Sequence, residues 1–192
     1  LSQSGALCTA VLDFAADRDF GFSKFISIGN KADVDEVDLL RYLHEDQETA
    51  VIVMYLEELR RGQEFIDVAK EITSGHRPTP VIAVKSGRTA AGARAAASHT
   101  GALAGSEAVY DAILKQAGII RAESIDELFD FANAFTYKYE SKVGKTRRRL
   151  PRDNRVAIIT NAGGPGIIAT DVTASSELEL ARFSQNTIQE LA

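Results

Sequence analysis

The 192-residue chain has one cysteine, one methionine, four prolines and no tryptophan. The lone Cys8 excludes an internal disulfide, and a reducing cytoplasm is the expected location. No apolar run approaches membrane-spanning length and no secretory leader is visible, so no membrane association is expected. Histidine is scarce as well: there are three, His44, His76 and His99. No Cys or His cluster has metal-ligand spacing, which argues against a metal site in the chain. The Walker A pattern, the dinucleotide fingerprint and the nucleophile elbow are all missing. There is no fixed-period repeat. The net charge of −5 argues against a general nucleic-acid binder.

What remains is a globular composition, 45% hydrophobic and 26% charged, which excludes a disordered chain. The charge is unevenly spread. Lys138 to Arg155 holds eight basic and two acidic residues, so this segment is +6 and the rest of the chain −11. Short apolar runs alternate with amphipathic stretches. Phe22 to Ile28, Ala50 to Leu56, Pro80 to Val84 and Gly118 to Ile120 read as strands. Their near-continuous apolar character suits strands buried on both faces, hence a parallel sheet. Between them lie helical stripes: Leu7, Ala10, Val11 and Phe14; Val37, Leu40 and Leu43; Phe65, Ile66, Ala69 and Ile72. Gly75 is placed to end the third of these. Ser124 to Glu127 has the form of a capping box at the start of a further helix.

This alternation predicts an α/β fold, a doubly wound parallel sheet over residues 1–139. Residues 140–154 read as a basic linker. Residues 155–192 read as the start of a second α/β domain: a strand from Arg155 to Thr160, a glycine-rich turn from Asn161 to Gly166, and a helix from Ile167. The chain opens at the end of a strand entering a helix and stops inside a helical pattern, as a piece of a longer polypeptide would.

Five places carry candidate chemistry. Ser98-His99-Thr100-Gly101 sets one imidazole among small residues, where a large anionic substrate can approach a group able to act as nucleophile. Ser2-Gln3-Ser4-Gly5 precedes a helix, whose unpaired N–H groups and positive dipole end suit a phosphate; an ordinary N-cap is the alternative. Asn161-Ala162-Gly163-Gly164 offers close backbone approach before the second-domain helix. Glu57 follows directly on the strand Ala50–Leu56, at the strand end where open α/β sheets bind ligands, and its carboxylate could orient a histidine. Glu58 reads as a solvent-facing helix start. Gly29 and Asn30 end another strand and could line the site, with Asp33 as the expected N-cap of the next helix. His44 and His76 read as structural.

Taken together, SQSGAL, SIGNKADVD, VMYLEE, SHTGALAG and TNAGGPGIIATD, in this order, resemble the NDP-forming acyl-CoA synthetases, the superfamily of succinyl-CoA synthetase and ADP-forming acetyl-CoA synthetase. The resemblance covers essentially the whole chain and implies flavodoxin-like domains. It implies that His99 carries a phosphoryl group between half-reactions that interconvert acyl-CoA, phosphate and ADP with acid, CoA and ATP. It maps the glutamate that bonds this histidine onto Glu57. It maps two phosphate-holding helix starts onto Ser2 to Gly5 and Asn161 to Gly164, and places Thr100 and Gly101 beside the histidine. CoA and ATP or ADP are then substrates. A CoA-binding domain and an ATP-grasp domain with Mg²⁺ would lie outside this chain, as partner domains or subunits, and homo-oligomers would be compatible with it. Two other readings fit the same folds: a CoA-sensing region of a protein lysine acetyltransferase, and a flavodoxin-like binding module without catalysis.

Overall fold

The computed structural model describes residues 1–18, 20–29, 31–89, 91–92, 94, 107–136, 139–140, 146–147 and 153–191. They fall into two compact units, Leu1–Lys138 and Tyr139–Ala192.

The first unit is a parallel sheet wrapped by helices. Its elements are α1 (Gly5–Asp17), α2 (Glu36–Glu45), β1 (Ile52–Leu56), α3 (Gly62–Ser74), β2 (Val81–Lys85), α4 (Glu107–Gln116), β3 (Ile120–Ala122) and α5 (Ile125–Thr136). The strand order is β1-β2-β3, all parallel, with Leu56 opposite Lys85 and Val84 opposite Ala122. Side-chain alternation sends each strand's residues to opposite faces. Ile52, Met54, Leu56, Val81 and Ala83 pack with α2, α3 and α4 through Val37, Leu40, Phe65, Ala69 and Leu114. Val53, Tyr55, Ile82 and Val84 pack with α5 through Leu128 and Ala132. Phe14 of α1 joins that second layer through Phe129, with ring centroids 4.9 Å apart. Helices on both faces make the fold doubly wound, as the apolar patterning required.

Three local readings change. Phe22 to Ile28 is not a strand. Among the described residues its β-bridge is to Ser2 alone, and Ser2 is bridged to Ser27 on one side and Tyr55 on the other. One bridge cannot build a ladder, although its bonds, Ser2 N to Ile26 O (2.8 Å) and Ile28 N to Ser2 O (3.0 Å), are parallel-strand bonds. The N-cap of α2 is Asp35 rather than Asp33. The Asp35 carboxylate accepts from Val37 N (2.8 Å), and Asp38 returns the bond to Asp35 N (3.1 Å), a capping box. Arg61, from the start of α3, pairs with both aspartates and so selects this register. At α5, Ser124 Oγ does accept from Glu127 N (3.1 Å), but the Glu127 carboxylate accepts from Glu123 N, not Ser124 N.

The second unit holds a short antiparallel pair, β4 (Tyr139–Glu140) with β5 (Thr146–Arg147), inside the basic stretch. It continues with β6 (Arg155–Val156), α6 (Gly163–Ala174), β7 (Glu179–Leu180) and α7 (Gln185–Leu191). β6 and β7 are parallel, and α6 is the crossover between them. The strand is shorter than Arg155 to Thr160 because β7 offers only two residues to pair. The helix begins at Gly163, four residues before Ile167: Gly163 to Gly166 are its first turn, not a turn preceding it. Pro165 fits there because its missing N–H falls among donors with no intrahelical partner.

Gly118 links α4 to β3 with φ +68°, and a Cβ there would meet Thr73 Oγ1 at 2.5 Å. Gly118→Ala is expected to lower stability by about 1–3 kcal/mol, read as a fall in urea midpoint at unchanged m-value; an unchanged midpoint contradicts the account. Arg61 beside Asp35 holds its carboxyl down, to about 2. That pair therefore contributes fully above the ordinary Asp pKa of about 4 and is lost as the pH falls toward 2. Asp35→Asn should be less stable at pH 7 and lose less than the parent between pH 5 and pH 3. Equal losses, followed by urea unfolding at each pH, contradict it.

Candidate functional site

Parallel strands bring their carboxyl ends to one edge of the sheet. At this edge β1 gives way to Glu57 and Glu58, β2 to Ser86, and the Leu1–Ser4 segment to α1. The strand ends are locked together: Ser86 N donates to Leu56 O (3.0 Å), and Gln3 N to Tyr55 O (3.2 Å).

Glu57 stands where the sequence reading put it, directly after β1. It is half-buried. Its backbone N–H donates to Gln3 Oε1 at 2.6 Å, and Glu58 N donates to the same oxygen at 3.0 Å. Among the described residues, the Glu57 carboxylate accepts no hydrogen bond. Glu58 is not a helix start facing solvent. Its carbonyl accepts from Gln3 Nε2 (3.0 Å) and Lys31 Nζ (2.9 Å), and its carboxylate pairs with Arg60 (3.0 Å) and Lys31 (3.7 Å).

The Ser2–Gly5 segment divides into support and surface. Ser2 and Gln3 are buried. Ser2 Oγ donates to Ser4 O (2.9 Å) and accepts from Ser4 N (3.1 Å), tightening the entry to α1. Ser4 is the N-cap, accepting from Leu7 N at 3.3 Å. Gly5 is exposed, and a Cβ on it would meet nothing within 4 Å. The outward part of this helix start is therefore Ser4, Gly5 and the next backbone N–H.

Gly29 adopts φ +51° and Lys31 φ +52° in the loop before α2. The left-handed geometry at Gly29 is what glycine tolerates. Asn30 lies outside the described residues. In the second unit, Asn161, Ala162, Gly163 and Gly164 are exposed at the start of α6. Ala162 is the N-cap without a side-chain bond, and Cβ atoms on Gly163 or Gly164 would meet nothing within 4 Å. Thr160 Oγ1 accepts from Ala162 N at 3.1 Å, fixing the approach. Ser98, His99, Thr100 and Gly101 lie outside the described residues.

Sequence reasoning missed Lys31, Glu36 and Lys85. Lys85 ends β2 at 4% exposure. Its ammonium donates to Ser86 O and lies 4.4 Å from the centre of the Tyr110 ring, a cation–π contact. Burial pushes it below the ordinary lysine pKa; Glu107 and Glu57 oppose that shift and Arg121 reinforces it. A lysine directly after four apolar residues, at the ligand-facing end of a strand, was the available signal. Lys31 and Glu36 left no such trace, because their burial depends on partners far away in sequence. Glu36 Oε2 meets Lys31 Nζ at 3.3 Å and Gln3 Nε2 at 3.3 Å. Among the described residues no group of three His, Cys, Asp or Glu is arranged to hold a metal, and no helix is long and apolar enough to cross a membrane.

Chemically, this edge offers a carboxylate that accepts no hydrogen bond among the described residues, on a fixed backbone, beside an open helix start and a buried cation.

Residues 1–135 match the family model described as succinyl-CoA ligase like flavodoxin domain. The chain is 47% identical over 191 residues to "Acetate--CoA ligase [ADP-forming] II subunit alpha" of Pyrococcus furiosus, covering 100% of itself and 39% of that relative. It is 46% identical over 181 residues to "4-hydroxybutyrate--CoA ligase [ADP-forming]" of Nitrosopumilus maritimus, covering 94% of itself and 24% of the relative. Among solved structures it resembles the dinucleotide forming acetyl-coenzyme A synthetase 1 of Ca. Korarchaeum cryptofilum, in complex with phosphate and ADP. That match has TM-score 0.87 and 41% identity, over 99% of this chain and 39% of the other. The chain thus spans well under half the length of these relatives. It belongs to the succinyl-CoA ligase like flavodoxin domain family.

Proposed function

We propose that the complete protein is an ADP-forming acid–CoA ligase and that this chain carries its phosphoryl-transfer residue, His99. The observation that carries the reading is the similarity to ADP-forming ligases along the entire chain, at 47% identity to one of them. Phosphate displaces CoA from an acyl-CoA, giving acyl phosphate and free CoA. A ring nitrogen of His99 attacks the phosphorus and the carboxylate leaves. ADP then takes the phosphoryl group from phosphohistidine, forming ATP and restoring the imidazole. Run in reverse, the same steps activate the acid.

Glu57 accepts the N–H of the ring nitrogen that does not attack, which fixes the tautomer and stabilises positive charge on the ring. Its carboxylate, which accepts no hydrogen bond among the described residues, stands on an anchored backbone and supports that role. Of the Ser2 to Gly5 segment, Ser2 and Gln3 support the start of α1, whose outward N–H groups at Gly5 and Ala6 supply donors and a positive dipole end for phosphoryl oxygens; the start of α6, at Asn161 to Gly164, offers the same kind of donors. Gly29, Asn30, Thr100 and Gly101 line the substrate approach. We assign residues 1–139 to the first domain, 140–154 to its linker and 155 onward to a second CoA-ligase-like domain. CoA binding and nucleotide binding belong to parts of the protein outside this chain. Among the described residues no group of three His, Cys, Asp or Glu could hold Mg²⁺, which belongs with the nucleotide outside this chain. The cytoplasm is the fitting compartment.

With labelled ATP and Mg²⁺, the complete enzyme should acquire an acid-labile, base-stable phosphoryl label that His99→Ala abolishes; a label surviving in that variant overturns the assignment. Glu57→Gln should slow labelling by about 10- to 100-fold with the fold intact, followed by rapid quench and circular dichroism. Unchanged kinetics remove Glu57 from the mechanism.

A further inference from the structure

We propose that Gln3, Lys31 and Glu36 form a buried polar clamp whose task is to position Glu57, a proposal that rests on the role given to Glu57 above. The backbone around Glu57 is held from three separate segments. Gln3 Oε1 takes both N–H groups that leave β1, from Glu57 (2.6 Å) and Glu58 (3.0 Å). Gln3 Nε2 and Lys31 Nζ both donate to the Glu58 carbonyl, at 3.0 and 2.9 Å. Glu36, at 0% exposure, ties these two donors together through Oε2, 3.3 Å from each.

The composition of this cluster points to positioning rather than stability. An ion pair buried this deeply gains little net stability over apolar residues of the same size. Glu36 Oε1 is buried and accepts no hydrogen bond among the described residues, a further cost. Lys31 also holds φ +52°, a conformation that disfavours a side chain. These costs converge on one product: two consecutive peptide groups fixed at the end of β1, with a Glu57 carboxylate that accepts no hydrogen bond among the described residues. Gln3 is thereby a positioning residue that acts through Glu57, and its own side chain is turned away from any phosphate.

A double-mutant cycle tests this on the complete enzyme, reading single-turnover phosphorylation from labelled ATP. Gln3→Ala alone should slow the step by about 10- to 100-fold, the scale expected when a reacting group is displaced by about an ångström. In a Glu57→Gln background the same substitution should change the rate by less than about twofold, since the group it positions is gone. Glu36→Gln, which keeps the side chain's shape, should show the same loss of effect on a smaller scale, with folding checked by circular dichroism. If either substitution costs its full factor in the Glu57→Gln background, the clamp proposal is overturned while the role of Glu57 stands. If Glu57→Gln alone runs at the parent rate, Glu57 has no role and the clamp proposal goes with it.

Discussion

Two backbone N–H groups donating to one side-chain oxygen, Gln3 Oε1, hold the end of β1. Nearly everything at the ligand-facing edge depends on that arrangement. A strand that leaves a parallel sheet has no partner for its next peptide groups, and a buried unpaired N–H costs as much as a lost hydrogen bond. Gln3 removes that cost and fixes the direction of the chain. It can do so because Ser2 is wedged between Tyr55 and Ser27. The residue following Ser2 therefore enters the protein interior instead of solvent, and the same short segment then caps α1 through Ser4.

The second organising constraint is charge buried at that edge. Lys31 and Glu36 lie beneath the β1 exit, and Lys85 lies at the end of β2. Lys85 is offset by an aromatic face and by the fields of Glu57 and Glu107. In the interior such charges act more strongly than in water. Under the proposed function, an anionic substrate at this edge would meet a preformed electrostatic setting of the kind that phosphoryl transfer needs.

Much of the framework was legible in the sequence because it depends on local periodicity. The runs containing Ile52–Leu56 and Val81–Lys85 are apolar on both faces, and the stripes of α2 and α3 repeat at helical spacing. The position of Glu57 was legible because it follows a strong strand. Where reading failed, tertiary partners decided. Two aspartates could cap α2, and Arg61, 26 residues on, selects Asp35. Phe22 to Ile28 has strand composition, yet a strand exists only where a neighbour pairs with it. Gly163 to Gly166 looked like a turn because glycine favours turns, but a helix's first turn tolerates it equally. The roles of Lys31 and Glu36 were invisible, since their contacts with Glu58 and Gln3 span 27 and 33 positions. Gln3 was read as a phosphate ligand from its place beside a helix start; its bonds run inward, to residues 54 and 55 positions away.

If a phosphoenzyme stands between the half-reactions, nucleotide chemistry must proceed without the acid or CoA. The decisive measurement is exchange of label from ADP into ATP by the complete enzyme, with acid, CoA and free phosphate absent. Exchange that is present in the parent and lost in His99→Ala is the predicted result. Exchange that requires CoA and acid, or that persists without His99, would contradict the account.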